Sequence, residues 1–140
     1  MKRVIFVVGN YKNGGVPMRS TNLANEFARK GYAVTILATK EISDNIFFEL
    51  HKNVELISLR QFIEDNESNS VILAETTKQN EEIRKIKRLR YLTHFIPKWD
   101  KKLEKRIREI RKRSRLRQYM ILNQGTIVIP FGAAYYEQVY

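Results

Sequence analysis

The chain has 140 residues, no cysteine and a formal net charge of +11. This length suits one domain with a hydrophobic core, and an apolar content of 43% excludes a disordered chain. The lack of cysteine excludes a disulfide framework and thiolate chemistry, and it fits a reducing compartment. The apolar run after Lys2 and Arg3 is too short for a signal peptide, and no run is long enough to span a bilayer. We therefore expect a cytoplasmic protein, either soluble or peripheral on the inner face of a membrane.

The first forty residues predict a strand, a glycine-bearing loop, a helix and a second strand. Residues 2–8 (KRVIFVV) are apolar and rich in β-branched side chains, as in a buried parallel strand. The loop at 9–15 (GNYKNGG) holds three glycines, and an amphipathic helix is predicted at 16–30. Its apolar face consists of Leu23, Ala24, Phe27 and Ala28. Gly31 would end the helix before a strand at 32–39, which completes a right-handed βαβ unit.

Two further strands are predicted at 53–59 and 126–131. The fold class is therefore α/β, a Rossmann-like three-layer sandwich with a mainly parallel sheet and a basic helical hairpin. Residues 41–50 are expected to form a loop or short helix at an edge of the sheet. The side chains covering that edge would be Phe47, Phe48 and Leu50. His51 stands alone and is assigned to a loop or capping role. Residues 61–80 are polar and are expected to form a mobile excursion on the surface.

The glycine loop has the composition of an anion-binding site. Unpaired N–H groups and the positive end of the dipole lie at a helix N-terminus, and Gly14 and Gly15 would let a ligand approach them. Arg19 would add a positive charge nearby. The glycines at 9, 14 and 15 lack the G-x-G-x-x-G spacing of dinucleotide-binding folds, which disfavours a dehydrogenase, although Glu41 follows the second strand. A plain βα turn without a ligand is the competing interpretation.

The positive charge is concentrated in one segment. Residues 84–117 hold sixteen Lys or Arg and three acids, a net charge of +13. Within a basic segment at 81–122, apolar residues recur at helical spacing before and after Pro97, which predicts two helices. The apolar stripe consists of Ile83, Ile86, Leu89, Leu92 and Phe95 in the first helix and Trp99, Leu103, Ile107 and Ile110 in the second.

Three interpretations of this basic hairpin stay open. It is a solvated hairpin whose stripe packs on the sheet, or a membrane-surface element whose stripe faces lipid while its basic residues lie among anionic headgroups. A nucleic-acid surface is less favoured, because few aromatic residues accompany the charge. The residues assigned to a membrane or acidic-partner surface are Arg84, Lys87, Arg88, Trp99, Lys102, Arg106 and Arg113.

The run GGVPMRSTNLANEFARKGYAVTIL, from Gly14 to Leu37, resembles the opening of the N-terminal domain in retaining glycosyltransferases of the GT-B fold (family 4-like, group 1). The matching positions are Gly14, Gly15, Arg19, Leu23, Ala24, Phe27, Gly31, Tyr32 and Val34. The similarity is good over residues 1–40, extends to the strand near 54–59 and is thin afterwards. Tyr32 replaces the commoner histidine at a position that packs in the core.

The resemblance implies the acceptor-side domain of an enzyme that moves a sugar from a nucleotide-sugar donor to a glycan or lipid-linked acceptor. In that family the loop before the first helix lies at the interdomain cleft, near the acceptor and the donor's diphosphate. Gly14, Gly15 and Arg19 are assigned to the cleft on this basis. Gly132, in a turn after the last strand, is assigned to the same cleft. No cofactor or metal ion is implied, because the nucleotide sugar is a substrate of the full-length enzyme.

We identify no catalytic residues in the sequence, since no paired carboxylates and no Ser/His/Asp set stand out. We expect a truncated chain that is inactive alone and requires a C-terminal donor-binding domain as its partner. Two other classes of function remain. One is a non-catalytic, membrane-anchoring subunit of a split transferase. The other is a nucleotide- or nucleic-acid-binding module.

Overall fold

The computed structural model describes residues 2–131. In chain order its helices and strands are β1 (Arg3–Val8), α1 (Gly15–Arg29), β2 (Ala33–Ala38), β3 (Val54–Ser58), α2 (Leu59–Asp65), α3 (Ser70–Thr93), α4 (Pro97–Leu122) and β4 (Ile127–Pro130). Contacts divide the chain into two compact units. The sheet unit comprises the residues up to 65 and from 123 onward, and the hairpin unit comprises residues 66–122.

The sheet unit contains four parallel strands in the order β3-β2-β1-β4. The four predicted strands are confirmed, each within one residue of its predicted ends. Val4 in β1 is paired with Val34 in β2 and with Ile127 in β4, so β1 lies inside the sheet. Every residue from Val4 to Val8 is buried, which explains why β1 is a continuous apolar run rather than an alternating one.

Helix α1 ends where the sequence predicts, at Gly31, whose left-handed conformation favours glycine over residues with a Cβ atom. Gly31 has φ 84°, and its N–H donates to Ala28 O at 3.0 Å. The N–H of Tyr32 donates to Phe27 O at 3.1 Å, which completes a Schellman motif. The rings of Phe27 and Tyr32 pack edge to face with centroids 5.2 Å apart, so the predicted core role of Tyr32 is confirmed. This contact directs the chain from α1 into β2.

The apolar face of α1 is confirmed except at Leu23. Ala24 and Ala28 are buried, and Phe27 packs against the same core. Leu23 is 39% exposed, because it lies about 100° around the helix from Ala24. The positions that complete the buried face are Pro17, Ser20 and Thr21. Small side chains therefore form most of the contact of α1 with the sheet, which lets the helix backbone lie close to the strands.

Two predictions for the middle of the chain are wrong. Phe47 does not cover the sheet edge, since it is 83% exposed, whereas Leu50 packs against the core. Residues 61–80 are mostly helical rather than a loop excursion, because 61–65 belong to α2 and 70–80 to α3. Asn69 caps α3, and its Oδ1 accepts the N–H of Val71 at 3.0 Å. That cap satisfies a backbone donor at the helix start, and the polar residues that follow lie on the helix surface.

The hairpin unit consists of α3 and α4, which run antiparallel. Its core contains Ile83, Ile86 and Ile107, with Leu103 and Ile110 packed against them. At the open end of the hairpin, Gln118 Nε2 donates to Thr76 Oγ1 at 3.2 Å. The predicted break at Pro97 is confirmed, since α4 begins at this residue.

The predicted apolar stripe is divided between a buried part and an exposed part. Ile83 and Ile86 of α3 pack against apolar residues of α4, so this part of the stripe is not an apolar surface for lipid. The residues of α4 in that contact are Leu103, Ile107 and Ile110. The hairpin tip, residues 89–99, exposes the remainder of the stripe. The exposed stripe residues are Leu89, Leu92, Phe95 and Trp99. Among residues 2–131, no helix combines the length and the apolar character that a membrane span requires.

Candidate functional site

The loop that follows β1 lies where the strand order of the sheet reverses. β2 and β3 extend the sheet on one side of β1, whereas β4 pairs with β1 on the other side. In open parallel sheets, ligands bind at the carboxyl ends of the strands beside such a switch point. Residues 9–14 connect the carboxyl end of β1 to α1 and therefore occupy this position.

Backbone hydrogen bonds hold this loop against the segment that follows β2. The N–H of Tyr11 donates to Glu41 O at 2.7 Å, and the N–H of Ser43 donates to Tyr11 O at 2.9 Å. The Tyr11 side chain is buried, and its hydroxyl is hydrogen-bonded to that of Thr21 in α1. Burial raises the pKa of the Tyr11 phenol, so the ring stays neutral at physiological pH. The loop is thus tied both to its neighbouring loop and to the helix after it.

Asn13, which sequence analysis did not single out, extends this attachment. Its Nδ2 donates to Asn45 O at 2.7 Å, and its Oδ1 accepts the N–H of Phe47 at 3.0 Å. A side-chain amide can satisfy a backbone carbonyl and a backbone N–H together, because it carries a donor and an acceptor.

Asn25 in α1 makes the same kind of double contact further along the segment. Its Nδ2 donates to Glu49 O at 2.9 Å, and its Oδ1 accepts the N–H of His51 at 2.8 Å. His51 Nδ1 in turn accepts the N–H of Asn53 at 3.2 Å, which confirms the predicted loop role of His51. The sequence signal for Asn25 is an asparagine in a helix interior, where its helix propensity is poor.

Gly14 and Gly15 begin α1 beside open space. Gly14 is the N-cap residue, and its φ of 171° is an extended conformation that any residue adopts. Among residues 2–131, a Cβ atom at Gly15 would meet nothing within 4 Å, and one at Gly14 would meet only Pro17 Cδ at 3.9 Å. Neither the backbone nor a neighbouring atom of these residues therefore requires glycine at the two positions. A ligand that approaches the backbone closely would explain glycine at these positions, because a side chain there would obstruct it.

The first turn of α1 also has free backbone donors. Pro17 has no N–H, and the N–H of Met18 donates to Gly14 O at 3.0 Å. The N–H groups of Gly15 and Val16 have no acceptor within residues 2–131. Together with the positive end of the helix dipole, these two donors suit a phosphate or a carboxylate.

Arg19 lies one turn into α1, so the structure brings it to the same end of the helix as Gly14 and Gly15. It is exposed and forms no ion pair with another residue in the 2–131 range. Gly132, the fourth residue assigned to the cleft, lies outside the described residues. The missed residues here are Val16 and Met18, which are 48% and 46% exposed and place apolar surface beside the loop.

Glu41, the acid that kept a dinucleotide site under consideration, is paired with the loop after β1. Its carboxylate lies 2.9 Å from Lys12 Nζ, in an exposed ion pair. The hydrogen bond from Lys12, and then its charge, lower the pKa of Glu41.

A second concave surface lies on the hairpin unit. It is a groove of about 560 Å³ between exposed faces of α3 and α4. Of the residues assigned to a membrane or acidic-partner surface, those lining the groove are Trp99, Lys102, Arg106 and Arg113. Arg84, Lys87 and Arg88 are exposed on α3 outside the groove. Glu82 and Glu109 also line it, so the groove itself is not uniformly basic.

The two acids next to the hairpin tip are engaged by one arginine. Arg90 contacts Asp100 through a two-point ion pair and donates from Nη2 to Glu104 Oε1 at 2.8 Å. Hydrogen bonding by Arg90 lowers the pKa of Asp100. The same bond raises the pKa of Arg90. Because Asp100 and Glu104 both contact Arg90, Lys98 near the turn has neither of them as an ion-pair partner.

Within the described range, no group of three or more His, Asp or Glu residues is placed to hold a metal ion. Comparison with protein-family models, with curated proteins and with solved structures finds no match for this chain.

Proposed function

We propose that the sheet unit is the acceptor-side domain of a glycosyltransferase, with its ligand site at the N-terminus of α1. The transferred group would be a sugar from a nucleotide-sugar donor, and the acceptor a glycan or a lipid-linked glycan. The proposal takes the reaction from the resemblance of residues 14–37 to GT-B glycosyltransferases.

The observation that carries the proposal is the open glycine pair at the switch point of the sheet. As far as the described chain extends, Gly14 and Gly15 leave room for a ligand, and the N–H groups of Gly15 and Val16 have no other acceptor. Arg19 supplies a positive charge one turn away. These groups suit the diphosphate of a donor held across a cleft.

Several finer features belong to the same proposal. They are a three-layer sandwich with helices on both faces of the sheet, a cytoplasmic location and a donor-binding domain supplied from outside residues 1–140. The proposal assigns no cofactor or metal ion to these residues. It assigns them positioning of the acceptor and binding of the leaving diphosphate.

The test is a titration of the isotope-labelled chain with uridine diphosphate, followed by amide NMR. We expect saturable shifts at Gly15, Val16 and Arg19 with a dissociation constant of about 1 mM, because half of the donor site is absent. Replacement of Gly15 by Ala should leave the fold intact, since its Cβ meets no atom of the described residues within 4 Å, yet weaken binding by obstructing the ligand.

Arg19→Gln should weaken binding as well, and Arg29→Gln, at the opposite end of α1, is the matched control. Shifts confined to the basic hairpin would contradict the proposed site. Vesicle binding without any diphosphate binding would favour the non-catalytic anchoring subunit instead.

A further inference from the structure

The hairpin tip exposes large apolar side chains. Phe95 is 80% exposed, Tyr91 is 78% exposed and Leu92 is 72% exposed. The other exposed apolar residues of the tip are Leu89, Ile96 and Trp99. A contiguous apolar patch on a protein surface indicates an interaction site, whereas single exposed apolar residues are normal.

The core of the hairpin ends before these residues. Its layer nearest the tip contains Ile86 and Leu103, and α3 continues for about 10 Å beyond Ile86. The chain reversal is nevertheless well defined, since the N–H of Trp99 donates to Ile96 O at 3.0 Å. The rings of His94 and Phe95 contact each other at an angle of 37°, with centroids 3.8 Å apart. The apolar residues are therefore presented on a formed turn.

Positive charge surrounds this apolar end. From Arg84 to Arg106 the chain has ten Lys or Arg and two acids, a net charge of +8. Both acids, Asp100 and Glu104, contact Arg90. Lys98, Lys101 and Lys102 are exposed within about 8 Å of the start of α4, measured along the helix axis.

We propose that the hairpin tip docks on an anionic lipid bilayer, with Phe95, Ile96 and Trp99 entering the boundary between headgroups and acyl chains. A bilayer has anionic headgroups outside an apolar interior. The apolar side chains at the turn would reach the interior, while the lysines behind them would contact the headgroups. The indole of Trp99 suits that boundary. This inference is independent of the proposed transferase function.

The geometry favours contact through the tip rather than along the length of the hairpin. Ile83, Ile86 and Ile107 of the apolar stripe are buried between the helices, so a hairpin lying flat would offer the lipid few apolar residues. Electrostatic attraction to a membrane falls off within a Debye length of about 8 Å at physiological salt. Arg113 lies about 24 Å along α4 from Pro97, so it should contribute little to docking.

Other occupants fit the tip less well. A second copy of the chain would bring one net charge of +8 against another. A nucleic acid would neutralise the lysines and stack on aromatic rings, but it would leave Leu92 and Ile96 without an apolar partner.

The experiment uses the single tryptophan of the chain as its probe. The full chain is titrated with vesicles of phosphatidylcholine alone and of phosphatidylcholine with about 30% phosphatidylglycerol. We expect a blue shift of Trp99 emission, quenching by brominated acyl chains, and at least about tenfold tighter binding to the anionic vesicles.

Three sets of variants separate the tip from general charge. Phe95→Ser with Ile96→Ser should weaken binding about tenfold, because apolar contact is lost. The triple variant Lys98→Glu, Lys101→Glu and Lys102→Glu should weaken it at least as much. The matched control is the triple variant Arg108→Glu, Arg111→Glu and Arg113→Glu, which makes the same charge change further from the tip and should alter binding less than about threefold. All eight side chains are exposed, and circular dichroism verifies that the helices persist.

Several results would overturn the proposal. Trp99 emission that does not change with anionic vesicles would exclude insertion of the tip. Equal effects of the two charge-reversal triples would indicate adsorption along the hairpin. A concentration-dependent dimer that the Phe95 and Ile96 substitutions abolish would assign the tip to a second copy of the chain.

Discussion

The Tyr11 hydroxyl joins the loop after β1 to the helix that follows it. It is buried, its partner is the hydroxyl of Thr21, and the Tyr11 backbone is bonded to the segment after β2. Three separate pieces of chain therefore meet at one residue beside the candidate ligand site. The position of Gly14 and Gly15 depends on that attachment.

Tyr11→Phe should lower the free energy of unfolding by about 1 kcal/mol, because the buried Thr21 hydroxyl loses its partner. Thr21→Val alone should cost a similar amount. The double variant should be less destabilised than the sum of the two, because both polar groups are then removed. Urea unfolding of the four proteins measures this coupling, and strict additivity would show that the hydroxyls do not interact.

Tyr11 also predicts a dependence of stability on alkaline pH. Its pKa in the folded protein is raised above the ordinary value of 10.0 by burial, so the folded state holds the proton more tightly than the unfolded state. This contribution is fully present below pH 10 and is lost as the pH rises through the folded pKa. In urea unfolding between pH 9 and 11, we expect Tyr11→Phe to lose less stability than the unmodified chain. Parallel losses would contradict this assignment.

Asn25 offers a clean comparison, because Asn22 lies on the same helix and is exposed without a hydrogen-bond partner in the described chain. Asn25→Ala should destabilise the protein by about 1 kcal/mol, as two bonds to the backbone outweigh the better helix propensity of alanine. Asn22→Ala should be neutral or stabilising by about 0.5 kcal/mol. Equal stabilities in urea unfolding would show that Asn25 does not hold the segment. Faster amide exchange at His51 in Asn25→Ala would locate the effect.

At the scale of elements, the hairpin combines buried apolar side chains with many like charges. One core cluster comprises three buried isoleucines and two half-buried residues, and Ile72, Leu116 and Tyr119 are also buried in its helices. The lysines and arginines that surround it repel one another, and exposed ion pairs compensate only weakly. The contact of Arg90 with Asp100 and Glu104 is therefore best understood as fixing how the two helices meet near the turn.

The same contact predicts a loss of hairpin structure in acid. The pKa of Asp100 is lowered from its ordinary value of 3.8, first by the hydrogen bond from Arg90, so the folded state favours the carboxylate. Its contribution is present above that ordinary value and disappears as the pH falls through the folded pKa. Asp100→Asn should reduce hairpin stability at pH 6 and flatten the acid limb of a helicity measurement, with less effect in high salt. Glu109→Gln, on the same helix, is the control. An acid limb unchanged by Asp100→Asn would refute this account.

At the scale of the whole molecule, nearly all of the net charge belongs to the hairpin unit. Residues 66–122 have seventeen basic and seven acidic residues, a net of +10, which leaves +1 for the rest of the chain. Long-range attraction to polyanions is therefore a property of one unit, whereas the candidate ligand site lies in the other.

This distribution of charge predicts how the chain binds nucleic acid. We expect binding to a 20-nucleotide single strand to be non-specific, with a dissociation constant of about 10⁻⁴ to 10⁻⁶ M at physiological salt and a steep loss of affinity as salt rises. Fluorescence anisotropy with several sequences measures both. Tight binding with a preferred sequence and a defined site size would instead support a nucleic-acid-binding module and count against the transferase proposal.

The sequence by itself determined the sheet and the first helix, because their signals are local. β1 and β2 are short apolar runs that suit burial on both faces, and Gly31 ends α1 at the position that requires a left-handed residue. The candidate site at Gly14 and Gly15 was identified for the same reason, since a glycine pair between a strand and a helix is visible without any long-range contact.

Only the tertiary structure decided which polar and apolar residues have partners. Asn13 and Asn25 bond to backbone groups 24 to 34 residues away, and no local pattern specifies those pairings. An apolar stripe also has the same spacing whether it faces a helix or lipid. Ile86 is buried and Phe95 is exposed, because the interhelical core ends between them.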